Sequence, residues 1–346
     1  MTTMRATITG SDAVATAVRA VPHQIYLGPD GDDVEPVVSR TTTWRHLRSL
    51  DLRANQRVLQ IGTGSGYSAA LMGHIVRPGG HVLTLDTDPA LTARAADLFA
   101  AHGHRVVAAT GHGLAGHPDL APYDRIFAPA TPAAIPRTWI DQLAPGGLLV
   151  TGCAVSDLPG ADASAHITKT LTGDLHVTVH ATRYPLMGPR LLPAHVTAVR
   201  APDYPGYYLA STSDDSTTAT EILRLLRTGA ASGWPGTPGE FLELKHWLLA
   251  YRPAGLFTAV TQFGEGIGIG GKTPTEYGLA PLPGGRVEAA MITPAHFIAR
   301  PATSPTQARL VGLLNQWRAE GHRTTHELDA VLLRPHPDAY QVRLDE

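Results

Sequence analysis

The 346 residues contain one cysteine, Cys153. That excludes an intramolecular disulfide and a four-cysteine zinc site. Charged residues make up only 17%, and 28 Lys and Arg stand against 30 Asp and Glu. With no basic excess, nucleic acid is not expected as a partner. No run approaches the roughly 18 to 20 apolar residues of a membrane helix, and the N-terminal stretch lacks the apolar core of a signal peptide. A soluble, cytoplasmic protein with no membrane partner is expected. The 17 histidines show neither HExxH nor tight ligand spacing, so no metal is expected. In their place stand 43% hydrophobic residues, enough for a buried core. The 35 glycines and 28 prolines have no strict period, which excludes collagen. The length suits one large or two moderate domains.

From Asp51 to Ala154, short β-branched runs alternate with helical stretches. Strands are predicted at Arg57 to Gly62, His81 to Asp86, Arg105 to Thr110, Tyr123 to Ala130 and Leu148 to Ala154. Helices are predicted at Tyr67 to Val76, Pro89 to Gly103 and Ile135 to Leu143; Pro at the start and Gly at the end punctuate the second. Turns are expected at Pro78-Gly79-Gly80 and Pro145-Gly146-Gly147. The alternation implies an α/β fold with a doubly wound parallel sheet. Ser164 to Leu171 and Leu175 to Tyr184 read as an antiparallel hairpin closing one sheet edge. A proline-rich stretch follows, and a domain boundary is expected near 195, giving units 1–195 and 196–346. The second is expected to be a smaller α+β domain, with helices at Ser216 to Ala230, Phe241 to Tyr251 and Pro305 to Gly321. Its aromatics, including Trp234 and Trp317, fit a core more readily than a peptide-binding surface. Gly266 to Thr273 matches GxxxxGK[ST], but Pro274 follows where a P-loop needs a helix. A glycine-rich loop without nucleotide chemistry is the expectation there.

The most informative segment is Gln60-Ile61-Gly62-Thr63-Gly64-Ser65-Gly66, between a strand and a helix. Glycines there let backbone approach a ligand at the sheet's switch point. The spacing is GxGxG, not the dinucleotide GxGxxG. The following strand ends in Asp86, whose carboxylate can accept hydrogen bonds from ribose hydroxyls. Together these features resemble the class I S-adenosylmethionine-dependent methyltransferases, with their Rossmann-like sheet.

VLQIGTGSGYSAAL (Val58 to Leu71) is similar to the cofactor motif of the protein-L-isoaspartate O-methyltransferases. Ala17 to Leu27, Glu35 to Leu52, Gly111 to Val150 and Thr182 to Met187 resemble further segments of that family in the same order. The resemblance spans roughly 15–195. It implies transfer of a methyl group from S-adenosylmethionine to a carboxylate of a peptide or protein bearing Asp or isoaspartate, the ester then collapsing to a succinimide. It places the family's active-site serine at Ser39, and cofactor contacts at residues 60–66, Asp86, His112 and Gly113. Two departures concern charge. Gln60 stands where the family usually has an acid, and His112 where it has an aspartate.

Compact family members end near the Thr182–Met187 segment, whereas this chain continues. The continuation resembles an extended branch that tailors ribosomally made peptides of graspetide, lanthipeptide or lasso type, converting a chosen aspartate of a macrocycle to aspartimide. That branch is the leading expectation, with 196–346 as an accessory peptide-binding unit. The alternatives are a general isoaspartate repair methyltransferase and a non-catalytic cofactor-fold binding module. The oligomeric state is not legible in the sequence.

Overall fold

The computed structural model describes residues 10–28, 40–189, 191–228, 231–234, 236–273 and 285–345. Helices α1 (Gly10–Ala20) and α2 (Arg40–Ser49) precede the alternating region. That region runs β1 (Arg57–Ile61), α3 (Tyr67–Ile75), β2 (His81–Asp86), α4 (Pro89–Ala101), β3 (Val106–Thr110), β4 (Tyr123–Ala128), β5 (Ile135–Pro136), α5 (Arg137–Asp141) and β6 (Leu143–Ala154). The hairpin β7 (Asp162–Lys169) and β8 (Leu175–His180) completes a seven-stranded sheet of order β3-β2-β1-β4-β6-β7-β8. Its first five strands are parallel and the hairpin is antiparallel. This is a doubly wound α/β sheet with an antiparallel hairpin at one edge.

Local chemistry explains the regular parts. Asp88 caps α4 by accepting from the Ala90 amide at 2.8 Å, and Pro89 opens the helix, where its missing N–H costs nothing. β1 and β2 are buried along most of their length, as strands covered by helices on both faces must be.

The structure corrects three predicted elements. Pro145-Gly146-Gly147 is no turn before a strand; it lies inside β6. The β4–β6 register jumps from Tyr123 opposite Leu143 to Arg125 opposite Leu148, so the extra residues form a bulge. Gly146 takes φ +77° there. The helix predicted over Ile135 to Leu143 shrinks to α5, because Ile135 and Pro136 pair instead with a strand near the C-terminus. The glycine-rich segment 266–273 is a strand, not a loop.

That strand belongs to a second seven-stranded sheet. Its elements are β9 (Thr197–Ala201), β10 (Tyr204–Ser211), α6 (Ser216–Arg227), β11 (Ser232–Gly233), α7 (Pro238–Tyr251), β12 (Leu256–Thr261), β13 (Gly264–Thr273), β14 (Arg286–Ile292), β15 (His296–Arg300) and α8 (Pro305–Ala319). The strand order is β11-β15-β14-β13-β12-β10-β9, with every pairing antiparallel. Alternate residues of β14 face opposite cores. Ala289 and Met291 meet Ile222 and Leu226 of α6 in one. Ala290 and Ile292 join Leu314 and Trp317 of α8 in the other, which is continuous with Leu59 and Ile167 of the first sheet and Trp139 of α5. Trp234, Trp247 and Trp317 are buried in this shared core. Cys153 is buried as well.

The last hairpin, β16 (Asp329–His336) and β17 (Ala339–Asp345), ties the two sheets further. Tyr340 of β17 pairs with Ile135 of β5. Beside it, Lys245 of α7 is fully buried. Its ammonium donates to the Gly160 carbonyl at 2.7 Å and to Glu265, whose second oxygen pairs with Arg183 at 2.8 Å. Burial pulls the Lys245 pKa down, and Glu265 opposes that shift. No helix among the described residues is long and apolar enough to cross a membrane.

Candidate active site

A cleft of about 230 Å³ opens at the C-terminal ends of β1, β2 and β4. Its floor is the β1–α3 turn. Gly62, Gly64 and Gly66 all adopt positive φ, at 96°, 51° and 85°. L side chains disfavour that region, so glycine is required at each. The three differ in surroundings. A Cβ on Gly62 or Gly64 would meet nothing within 4 Å, whereas one on Gly66 would press on Phe99 at 3.2 Å and Ala95 at 3.3 Å. The first two leave open space over the turn; the third lets α4 close beneath it.

Asp86 holds this turn from the next strand. Its Oδ2 accepts from the amides of Thr63 at 2.8 Å and Gly64 at 3.3 Å, and its Oδ1 accepts from Asp88 at 3.1 Å. Oδ1 keeps acceptor capacity toward the cleft, because a carboxylate offers about four lone-pair sites. Thr63 is tied to Thr84 through their hydroxyls at 3.0 Å, and Ser65 Oγ accepts from the Tyr67 amide at 3.3 Å. Ile61 is buried beneath the turn.

Gln60 is buried and lines the cleft. Its amide nitrogen donates to the Gly62 carbonyl at 2.5 Å and to Ser68 at 3.0 Å. It braces the turn and brings no charge. The turn carrying His112 and Gly113 is anchored by the Gly111 amide on the Asp86 carbonyl at 2.9 Å. His112 is exposed and stands outside the cleft lining; Gly113 is buried, its carbonyl accepting from the Trp139 indole at 2.9 Å. A Cβ on Gly113 would come within 2.7 Å of Ile61. Ser39 lies outside the described residues, immediately ahead of α2 in sequence.

The opposite wall was not foreseen. Thr43 and His46 of α2, Phe127 of β4, and Pro129, Ala130, Pro185 and Leu186 beyond it complete the cleft. His46 is 3% exposed, with its ring 4.6 Å from Tyr184 and 6.0 Å from Phe127. Neither ring nitrogen has a hydrogen-bond partner among the described residues. Burial, and then the charge of Arg45, push its pKa down to about 4. The ring is therefore neutral at pH 7, one nitrogen a donor and the other an acceptor. Leaving such a buried group unpaired costs roughly 1–3 kcal/mol. No sequence signal distinguished this histidine from the other sixteen; only its burial without a partner does.

The profile of the protein-L-isoaspartate(D-aspartate) O-methyltransferase family matches residues 35–170. A protein-L-isoaspartate O-methyltransferase of Ignicoccus hospitalis is 34% identical over 173 residues, which is 46% of this chain and 81% of that one. The chain belongs to this family. A second relative of the same description, from Methanococcus aeolicus, is 40% identical over 113 residues, or 32% of this chain and 52% of that one. A solved structure titled protein-L-isoaspartate O-methyltransferase aligns over 96% of this chain and 95% of its own, at 20% identity and a TM-score of 0.46.

As a member, the chain is an S-adenosylmethionine-dependent O-methyltransferase, and its cleft fits that cofactor. The space over Gly62 and Gly64 admits a ligand that any side chain there would obstruct. Asp86 places a carboxylate in the cleft lining at the end of β2. Residues 60–66 and Asp86 are thus brought together, while His112 is not among the residues lining the cleft.

Proposed function

We propose that this enzyme esterifies the free α-carboxylate of isoaspartyl residues in a polypeptide. The observation that carries the reading is the cleft itself, a glycine cradle with a carboxylate at one end and an apolar-walled opening beyond β4, in a chain of this family. Bound S-adenosylmethionine supplies an electrophilic methyl group on a sulfonium. The acceptor carboxylate is already ionised at pH 7, so the protein needs no strong base. Its task is to align the attacking oxygen and exclude water, and positioning supplies most of the acceleration. Phe127, Pro129, Pro185 and Leu186 form an apolar wall on that side of the cleft. Ser39 is the hydroxyl we assign to orienting the acceptor.

A second reading, tailoring of an aspartate in a ribosomally made macrocycle, draws on the C-terminal extension. A second cavity, of about 240 Å³, lies between Pro132 to Ile135, the end of β6, and the β16–β17 hairpin. Thr131 stands in the chain between Ala130 of the cleft and Pro132 of this cavity. There the Thr131 amide donates to Pro185 at 2.7 Å and the Met187 amide to Thr131 at 2.9 Å. In this reading 196–346 holds the flanking chain of the acceptor while the carboxylate enters the cleft.

Intact mass after incubation with S-adenosylmethionine separates the readings. A linear isoaspartyl peptide is expected to gain one methyl group and then form succinimide, while its aspartyl isomer stays unmodified. Methylation confined to a cyclised aspartyl peptide would replace the first reading with the second. Ser39→Ala is expected to lower turnover more than cofactor affinity; equal turnover would remove Ser39 from its assigned role.

A further inference from the structure

We propose that His46 binds the amino-acid end of the cofactor, its unprotonated ring nitrogen accepting a hydrogen bond from the ammonium group. The inference rests on the cofactor reading of the cleft and not on the identity of the acceptor.

Charge within the cleft is the starting point. S-adenosylmethionine carries an ammonium group, and Asp86 is the only carboxylate lining the cleft among the described residues. Asp86 closes β2, at the sugar end. His46 packs near Phe127 of β4, on the far side of β1. Strands lie about 4.8 Å apart, so the two residues serve positions roughly 10 Å apart across the cleft. The ends of one elongated ligand are separated in the same sense. Gln60, at the end of β1, carries no charge, and its amide oxygen already accepts from the Ser68 hydroxyl at 3.2 Å. The ammonium is thus left without an anionic partner on that side.

His46 supplies a neutral acceptor there instead. Its ring is almost wholly buried, lines the cleft, and has both nitrogens unpartnered. The apolar enclosure holds it neutral, and only a neutral imidazole has a lone pair to offer. One of the two orphaned nitrogens is then satisfied by the ligand.

Calorimetry with three ligands tests this. The probes are S-adenosylhomocysteine, its analogue lacking the amino group, and methylthioadenosine, which lacks the whole amino-acid end. Wild type is expected to bind the deaminated analogue about 10- to 100-fold more weakly than S-adenosylhomocysteine, the range of a hydrogen bond to a charged group. His46→Phe should abolish that discrimination and leave methylthioadenosine affinity within about twofold of wild type. His46→Leu gives the same readout if the larger ring is not accommodated. Wild-type indifference to the amino group overturns the proposal, as does undiminished discrimination in the variants. Loss of methylthioadenosine affinity in the variants overturns it too, since the role of His46 is then structural. Failure of wild type to bind methylthioadenosine would instead count against the cofactor reading.

Discussion

Two glycine-rich segments of this chain do opposite things. Gly62, Gly64 and Gly66 all sit at positive φ, and the first two face open space. Gly266, Gly268 and Gly270 lie in the regular strand β13, where a Cβ would strike the neighbouring strand or a core side chain. On Gly268 it would approach the Ala290 carbonyl to 2.2 Å and Phe257 to 2.7 Å; on Gly270 it would meet Ile222 at 2.8 Å. The first set is glycine for conformation and ligand access, the second for packing. Composition treats them alike, and the second matches a nucleotide-binding pattern. A P-loop must leave its sheet and open a helix, whereas β13 is paired on both sides.

The largest test of this contrast removes the charge next to the packing glycines. Glu265→Ala strips Lys245 of its carboxylate partner while the ammonium stays buried. Breaking a buried pair this way costs about 3–5 kcal/mol. Urea unfolding should report a loss of that order; a loss below about 1 kcal/mol would show that Lys245 can reach water.

Next comes a matched pair of alanines. Gly268→Ala overpacks the second sheet and should cost about 1–3 kcal/mol of stability. The folded fraction should bind S-adenosylhomocysteine as wild type does. Gly64→Ala should cost about 1–2 kcal/mol, the strain of a left-handed L-residue, and in addition lower affinity at least ~10-fold because its methyl enters the cradle. Equal affinities in the two variants would erase the distinction between the segments.

The smallest effect is expected in mild acid. His46 and His246 are held down to about 4 and His166 to about 3, each chiefly by burial. The unfolded chain protonates them near 6.5, so it binds more protons than the folded chain between roughly pH 6.5 and 4. Stability is therefore unaffected by these groups above that window and falls as pH drops through it. Each contributes up to about 1.4 kcal/mol per pH unit. Between pH 7 and 6 the loss is under about 1 kcal/mol per histidine. His246 bonds Thr325 at 2.9 Å and the Asp162 carbonyl at 3.1 Å, joining α7 to the first sheet. His246→Asn should flatten the slope of stability against pH by one histidine's share; an unchanged slope would mean that His246 titrates normally.

The cofactor half of the site was legible because its requirements are local. A strand, a turn of glycines and an acid closing the next strand are written within thirty residues, and backbone conformation demands each. The other wall was not. Its residues come from α2, the end of β4 and the segment after β8, joined only by folding. Elements misread from sequence share that cause. Ile135 and Pro136 leave a helical pattern to pair with β17, about 200 residues later, and Pro145 to Gly147 are absorbed as a bulge by the β4–β6 register.

Sequence alone determined the parallel sheet, the glycine turn and Asp86, since φ preferences and strand alternation act over a few residues. Tertiary structure alone decided that His46 is a cleft residue, that Gly266 to Thr273 is a strand, and that the C-terminal hairpin walls a second cavity. Burial and orphaned hydrogen bonds arise between segments far apart in the chain, and short-range pattern carries no record of them.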